Sequence, residues 1–268
     1  MSALVFSLKA APSQRLDLSK LTPGRLKDMK PAEIQRIAIG TTRQPLLVGD
    51  IFVVKGGDAA EIRFDGGSDR FDLLGHGMES GVIRVEGDVG PKAGRRMRGG
   101  EIEIRGNAGP WLGSQMSGGR IRVSANAGDS VGGPISGELA GMSGGLILIG
   151  GKAGRRAGER MRRGMVVVSG TSGDYAGAAM IAGTLVLLGK TGNLPGYLMR
   201  RGSIVLGRGA QSLSPSFADC GPHELAFAAL LGNALAEHEV KTGKLFKGAL
   251  RRLAGDLAAL GKGEILIG

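Results

Sequence analysis

Gly100 to Gly119 reads GEIEIRGNAGPWLGSQMSGG, and this stretch decides the fold because the chain repeats it. Glycines 81, 100, 119, 145, 164, 183 and 202 each open a short apolar segment, and successive ones lie nineteen residues apart except for one step of twenty-six. Three residues before each stands a methionine: Met78, Met97, Met116, Met142, Met161, Met180 and Met199. Seven matches in one register, restored after a seven-residue insertion near Ser136 to Met142, are a repeat and not a coincidence.

The second and fourth residues after each glycine are aliphatic, as in Ile83/Val85, Ile102/Ile104, Val166/Val168 and Ile204/Leu206. Such alternation describes a strand with one face inward. Turns such as Gly106-Asn107-Ala108-Gly109 follow, where glycine reaches positive φ at no steric cost. A unit this short cannot bury its own apolar face, so neighbours must stack in parallel about 4.8 Å apart. The expected fold is therefore mainly β: a right-handed parallel β-helix with coils of about nineteen residues over 46–210, an N-terminal cap over 1–45 and a C-terminal helical extension over 211–268. The methionines would form an internal ladder at a corner, where flexible thioethers fill irregular space; a cofactor-binding methionine stripe is the rival reading. A period of nineteen does not fit hexapeptide-repeat acyltransferases, and Asp88, Asp129 and Asp174 are too scattered for a calcium-lined lyase face.

Outward strand positions change character along the repeat. Arg84, Glu101, Glu103, Arg120 and Arg122 would stack as alternating charges on adjacent units. Leu146, Leu148, Met165, Val167 and Val186 then form an apolar strip that must be covered, by the C-terminal helices or by a partner subunit. At the N-terminal end a strand is expected over Leu4 to Leu8 and a polar helix around Pro31 to Ile37. After Gly209 two helical patterns follow, the second carried by Leu245, Phe246, Ala249, Leu250, Leu253, Leu257 and Leu260 at spacings of three and four.

Fifty glycines against seven Phe, two Tyr and one Trp rule out an ordinary aromatic-filled globular core. The formal charge of +11 and pI near 10.2 predict attraction to something anionic: nucleic acid, an acidic partner surface or a polyanionic cofactor tail. So few aromatics leave single-strand nucleic-acid binding without its stacking platforms, and no nucleic-acid partner is expected. Cys220 is the one cysteine, Met1 to Ala11 lacks the pattern of a secretory signal, and Leu225 to Leu231 is far shorter than the roughly 20 residues that span a bilayer. A cytoplasmic protein with no membrane association is expected.

His76, His223 and His238 have no second histidine or cysteine at metal-ligand spacing, so no metal is expected on this chain. Cys220-Gly221-Pro222-His223 sets a thiol near an imidazole but supplies no oriented base, so no catalytic residue is expected either. Glycine-rich turns that run from strand to strand lack the helix N-terminus that binds phosphate. The binding signal lies in the arginines: Arg95, Arg96 and Arg98 in one turn; Arg155, Arg156, Arg160, Arg162 and Arg163 with Lys152 in another; Arg200 and Arg201 in a third. Arg98, Arg162 and Arg200 share one repeat position, and Arg163 and Arg201 share the next, so they should line one edge. Such a stack of like charges fits a carboxylate- or phosphate-rich ligand; it also fits solvated turn arginines that pair with a partner's acids.

The unit at Gly100 to Gly119, its copies through Gly202 and the stretch PSFADCGPHE at Pro215 to Glu224 resemble the C subunit of formylmethanofuran dehydrogenase, whose bacterial relative is the C subunit of the formyltransferase/hydrolase complex. The repeats are also similar to the C-terminal β-helix domain of glutamate synthase large subunits. The resemblance implies a non-catalytic subunit that works with the hydrolase-like A, the B and the formyltransferase D subunits. That hetero-oligomer would move a formyl group from formyl-tetrahydromethanopterin to a methanofuran-type cofactor and release formate. Such cofactors carry a γ-linked polyglutamate tail, which would give the arginine edge a ligand to hold or guide. An archaeal-type formylmethanofuran dehydrogenase, or a free-standing β-helix that binds polyanions, are the alternatives the residues leave open.

Overall fold

The computed structural model describes residues 2–43 and 45–268. Its main element is a thirteen-stranded, mostly parallel sheet. The strands Val82–Val85, Glu101–Ile104, Arg120–Val123, Ser143–Ile149, Arg163–Val168, Thr184–Leu187 and Arg201–Leu206 follow one another side by side. Paired residues are nineteen apart, as in Ile83↔Ile102, Ile102↔Ile121 and Val166↔Leu185, and twenty-six apart across the insertion at Ile121↔Ile147. Every one of these inward aliphatics is fully buried. A second line of parallel bridges joins Val89, Ala108, Ala127, Ala153, Ser172 and Thr191.

The methionine-glycine pairing has a direct physical cause. A β-carbon on Gly100, Gly119, Gly145, Gly164, Gly183 or Gly202 would lie 2.6–2.9 Å from the methyl carbon of the preceding unit's methionine, from Met78 to Met180 in order. The same glycines have φ between +81° and +99°, a region that side chains rarely enter. Each methionine thus packs over the glycine of the next unit, and each is almost wholly buried. Corner residues before this point are also left-handed, among them Lys92, Trp111 and Tyr175. Their strain is offset because each donates its N–H to the next unit, to the carbonyls of Pro110, Asp129 and Asn193 at 2.8–2.9 Å. At another turn the Asp88 Oδ1 accepts from Asn107, the Asn107 Oδ1 accepts from Asn126, and the Asn126 Oδ1 accepts the Lys152 N–H at 2.9 Å.

Both chain ends rejoin the sheet. Ala3–Leu8 pairs in parallel with Asp58–Asp65 and antiparallel with Phe52–Lys55. Phe6, Phe52, Phe64 and Phe71 plug this end; Phe6 and Phe64 stack with centroids 4.9 Å apart. The expected N-terminal strand is present, and Pro31–Ile34 is a short helix.

At the other end the expectation of two helices is corrected. One forms, Ala226–Glu237, but Leu250–Gly255 and Lys262–Ile267 are antiparallel strands, and the latter pairs in parallel with Arg201–Leu206. The spacing of three between Leu250 and Leu253 reflects a strand buried on both faces. Leu253 joins the inner core, whereas Leu250 packs with the helix. Gly263-Glu264-Ile265-Leu266-Ile267 is an eighth copy of the repeat with Leu260 in the methionine position, and Met199 sits over Gly263. Segment 211–268 is therefore not a purely helical extension.

The outward columns behave as their side chains dictate. Arg84 pairs with Glu61 and Glu103, and Arg120 with Glu101 at 2.7 Å. The apolar strip of Leu148, Val167, Val186, Val205 and Leu266 is covered within the chain by Ala228, Leu231 and Leu235 of the helix and by Phe246. No described helix is long and apolar enough to cross a membrane.

The seven-residue insertion serves the two preceding units. Glu138 reaches back to the buried Arg95 at 2.5 Å, and Arg95 also donates to Ser114 Oγ at 3.1 Å. Burial raises the Glu138 pKa, but hydrogen bonds from Arg95 and the Ile135 N–H, with the charges of Arg95 and Arg96, outweigh it and hold the carboxyl below its usual value.

Gly119→Ala should lower the unfolding free energy by about 2–5 kcal/mol in denaturant melts, combining a left-handed side chain with overpacking. Gly137→Ala, also at positive φ but with open space around it, should cost only about 1–2 kcal/mol. Glu138→Ala should cost about 3–5 kcal/mol because it strands a buried guanidinium. Since the folded pKa of Glu138 lies below the unfolded one, its contribution is complete above the unfolded value and lost as pH falls through the folded value. Wild type should therefore lose this increment on acidification, and Glu138→Ala should not.

Candidate functional site

The ten sequence-predicted arginines fall into two groups. Arg95 is 7% exposed and locked between Glu138 and Ser114, so it faces no ligand. Arg96 is exposed, donates to Gln115 Oε1 at 3.0 Å and lies 3.8 Å from Glu138. Arg98 pairs with Glu79 at 2.7 Å, and Arg156 with Glu159 at 2.8 Å. The guanidinium carbons of Arg155 and Arg156 lie 6.0 and 5.7 Å from the Tyr175 ring centre. Arg160 donates to the Glu138 carbonyl at 3.4 Å. These side chains already have partners that neutralise or hold them.

Arg162, Arg163, Arg200 and Arg201 differ. All four are exposed, and among the described residues none forms an ion pair. Together with Ser143, Ile181, Ala182 and Leu260 they line a groove of about 650 Å³. The repeat explains the geometry. Arg162 and Arg200 occupy the position after the ladder methionine in alternate units with Ile181 between them, so they stand about 10 Å apart, twice the strand spacing. Arg163 and Arg201 flank Ala182 in the same way, and Lys262 lies beside Arg201 in register. The middle residues, Ile181 and Ala182, are shorter than arginine and leave the depression, and the arginines form its two walls.

Sequence reasoning missed Lys262 and Leu260 because it placed them in a helix; the eighth repeat copy was the available signal. It also set Arg98 on this edge, but Ser117 and Ser143 separate Arg98 from Arg162 along the column. The groove can hold carboxylates or phosphates through charge-assisted, forked hydrogen bonds. Elsewhere, Cys220 is exposed and its sulfur contacts the Ala218 carbonyl at 3.7 Å, while a ring nitrogen of His223 lies 3.2 Å from the Gly221 carbonyl. Burial, then the charges of Arg95 and Arg96, push the His76 pKa down. No cluster of three or more His, Cys, Asp or Glu side chains among the described residues is placed to share a metal ion.

Comparison with known proteins identifies the family of the chain. Residues 68–215 match the family model described as GXGXG motif, which spans the repeats. The chain is 48% identical over 254 residues, 95% of each sequence, to the C subunit of the formyltransferase/hydrolase complex Fhc of Methylorubrum extorquens. It also superposes with a TM-score of 0.94 and 39% identity, over 98% of both chains, on a chain in the crystal structure of the formyltransferase/hydrolase complex (FhcABCD) from that organism in complex with methylofuran. A repeat shared over so much of its length places this chain in the GXGXG motif family and, within it, in the family formed by the C subunits of formyltransferase/hydrolase complexes.

Proposed function

We propose that this chain is the C subunit of a cytoplasmic formyltransferase/hydrolase complex, assembled with the A, B and D subunits, and that it serves as a scaffold that binds the tail of a methanofuran-type cofactor. The observation that carries this reading is the set of four unpaired arginines around one groove, in a member of a family whose related complex holds methylofuran. The donor set fits a polyglutamate tail. Arg162, Arg163, Arg200 and Arg201 present guanidinium forks along one groove, without a competing carboxylate among the described residues. The remaining arginines of the ten are stabilising or corner residues in this reading. The chain winds as a right-handed parallel β-helix with coils of nineteen residues; the register of paired strands and the second line of bridges support this. The formyl-transfer chemistry, from formyl-tetrahydromethanopterin to the cofactor and on to formate, belongs to the other subunits.

A second reading is favoured by one observation. Leu260 lines the groove yet is 49% exposed, as expected if the surface of a partner subunit lay over it and its acids met the arginines. The experiment separates the two. In the assembled complex, Arg162→Ala/Arg163→Ala/Arg200→Ala/Arg201→Ala should leave the subunit ratio unchanged and lower retained cofactor at least tenfold, since each charged hydrogen bond contributes about 1.5–3 kcal/mol. Mass spectrometry of small molecules released on denaturation reads the retention. Unchanged retention would refute tail binding; loss of a subunit would favour the second reading.

A further inference from the structure

A second groove, larger than the arginine groove, is present in the molecule. It lies where the strands end, between the turns after Ser143–Ile149, Arg163–Val168, Thr184–Leu187 and Arg201–Leu206 and the segment 239–250, and measures about 1170 Å³. Leu148, Ile149, Val167 and Leu188 contribute its apolar floor, and Val240, Leu245 and Leu250 its far wall. Lys190 and Arg208 stand on one side, and Lys241 and Lys244 on the other. None of these four cations forms an ion pair among the described residues. Glu239 is the one acidic side chain in the lining, and it is paired with Arg122, which also lines the cleft, at 3.7 Å.

From this arrangement we infer that the cleft receives an acidic segment of a neighbouring subunit, seated by apolar side chains on the floor and flanked by carboxylates that meet the lysines and Arg208. The identity of the partner as another subunit rests on the assembly reading above; the cleft itself does not involve the arginine groove. Three features select this occupant. The volume exceeds the roughly 300–1,000 Å³ of ordinary small-molecule sites. The cations stand on both walls instead of converging on one point, so they suit acids distributed along a chain. Finally, the apolar floor and the absence of any aromatic side chain in the lining leave nucleic acid neither a stacking surface nor a reason to bury that floor. Interfaces of this kind combine an apolar centre with a charged rim.

Zero-length carbodiimide coupling in the assembled complex, purified through this chain, tests the inference because it joins only lysines and carboxylates in direct contact. Lys190, Lys241 or Lys244 should couple to Asp or Glu residues within one short stretch of another subunit. Those lysines should also be at least tenfold slower to acetylate in the complex than in the isolated chain. Arg208→Glu/Lys241→Glu/Lys244→Glu should abolish the coupling and release that subunit at lower salt. Coupling confined to this chain's own acids, or lysines acetylated equally fast in both forms, would overturn the docking while leaving the assembly reading intact. Protection without coupling, accompanied by release of a small anion, would also overturn it. Recovery of this chain alone would refute the assembly reading and the docking together.

Discussion

A methionine methyl group packed over a glycine one unit away is the contact on which the rest of the molecule depends. It links each unit to the next at a point where a β-carbon would come within 2.6–2.9 Å, and so fixes both residue types at once. Because the glycine also sits at positive φ, the corner geometry and the inter-unit packing are set by the same residue. Successive strands are then held in one register. The inward columns, Ile83 through Ile204 and Val85 through Leu206, become continuous buried ladders. Aromatic residues gather at the N-terminal end, where four phenylalanines close the stack, while Phe246 helps to cover the outer strip.

With the interior determined in this way, the outward and corner positions are free to carry different chemistry along the same frame. Near the start they hold alternating Arg and Glu. In the middle they hold the strip that the helix Ala226–Glu237 covers. On one edge of the later units they hold four arginines with no acidic partner among the described residues. The insertion has its own electrostatic role: Glu138 neutralises Arg95 where the repeat alone would bury an unpaired charge. An edge of unmatched cations, beside the charge-paired columns of the earlier units, is the local inconsistency expected where a protein binds something.

Much of this was legible in the sequence because ladders impose one residue type per position. The period, the strands, the methionine column and the strip in need of a cover follow from repetition alone. The C-terminal strands were not legible by the same means. Leu250 and Leu253 are buried on opposite faces of one strand, which mimics helical spacing, and the eighth repeat copy lacks its methionine. Within the candidate site, sequence position grouped the arginines but could not separate Arg95 and Arg98, which find acids in space, from Arg162, Arg163, Arg200 and Arg201, which find none among the described residues. Pairing between side chains 19 or 43 residues apart is a tertiary fact.

Membership in this family of C subunits and the unpaired edge together make a role in holding an anionic cofactor tail the central claim. The most direct measurement is an electron cryo-microscopy structure of the endogenous complex with its cofactor bound. Carboxylates of the tail should lie about 2.7–2.9 Å from the guanidinium nitrogens of Arg162, Arg163, Arg200 and Arg201. A groove filled instead by acidic side chains of another subunit, with the tail running elsewhere, would contradict it.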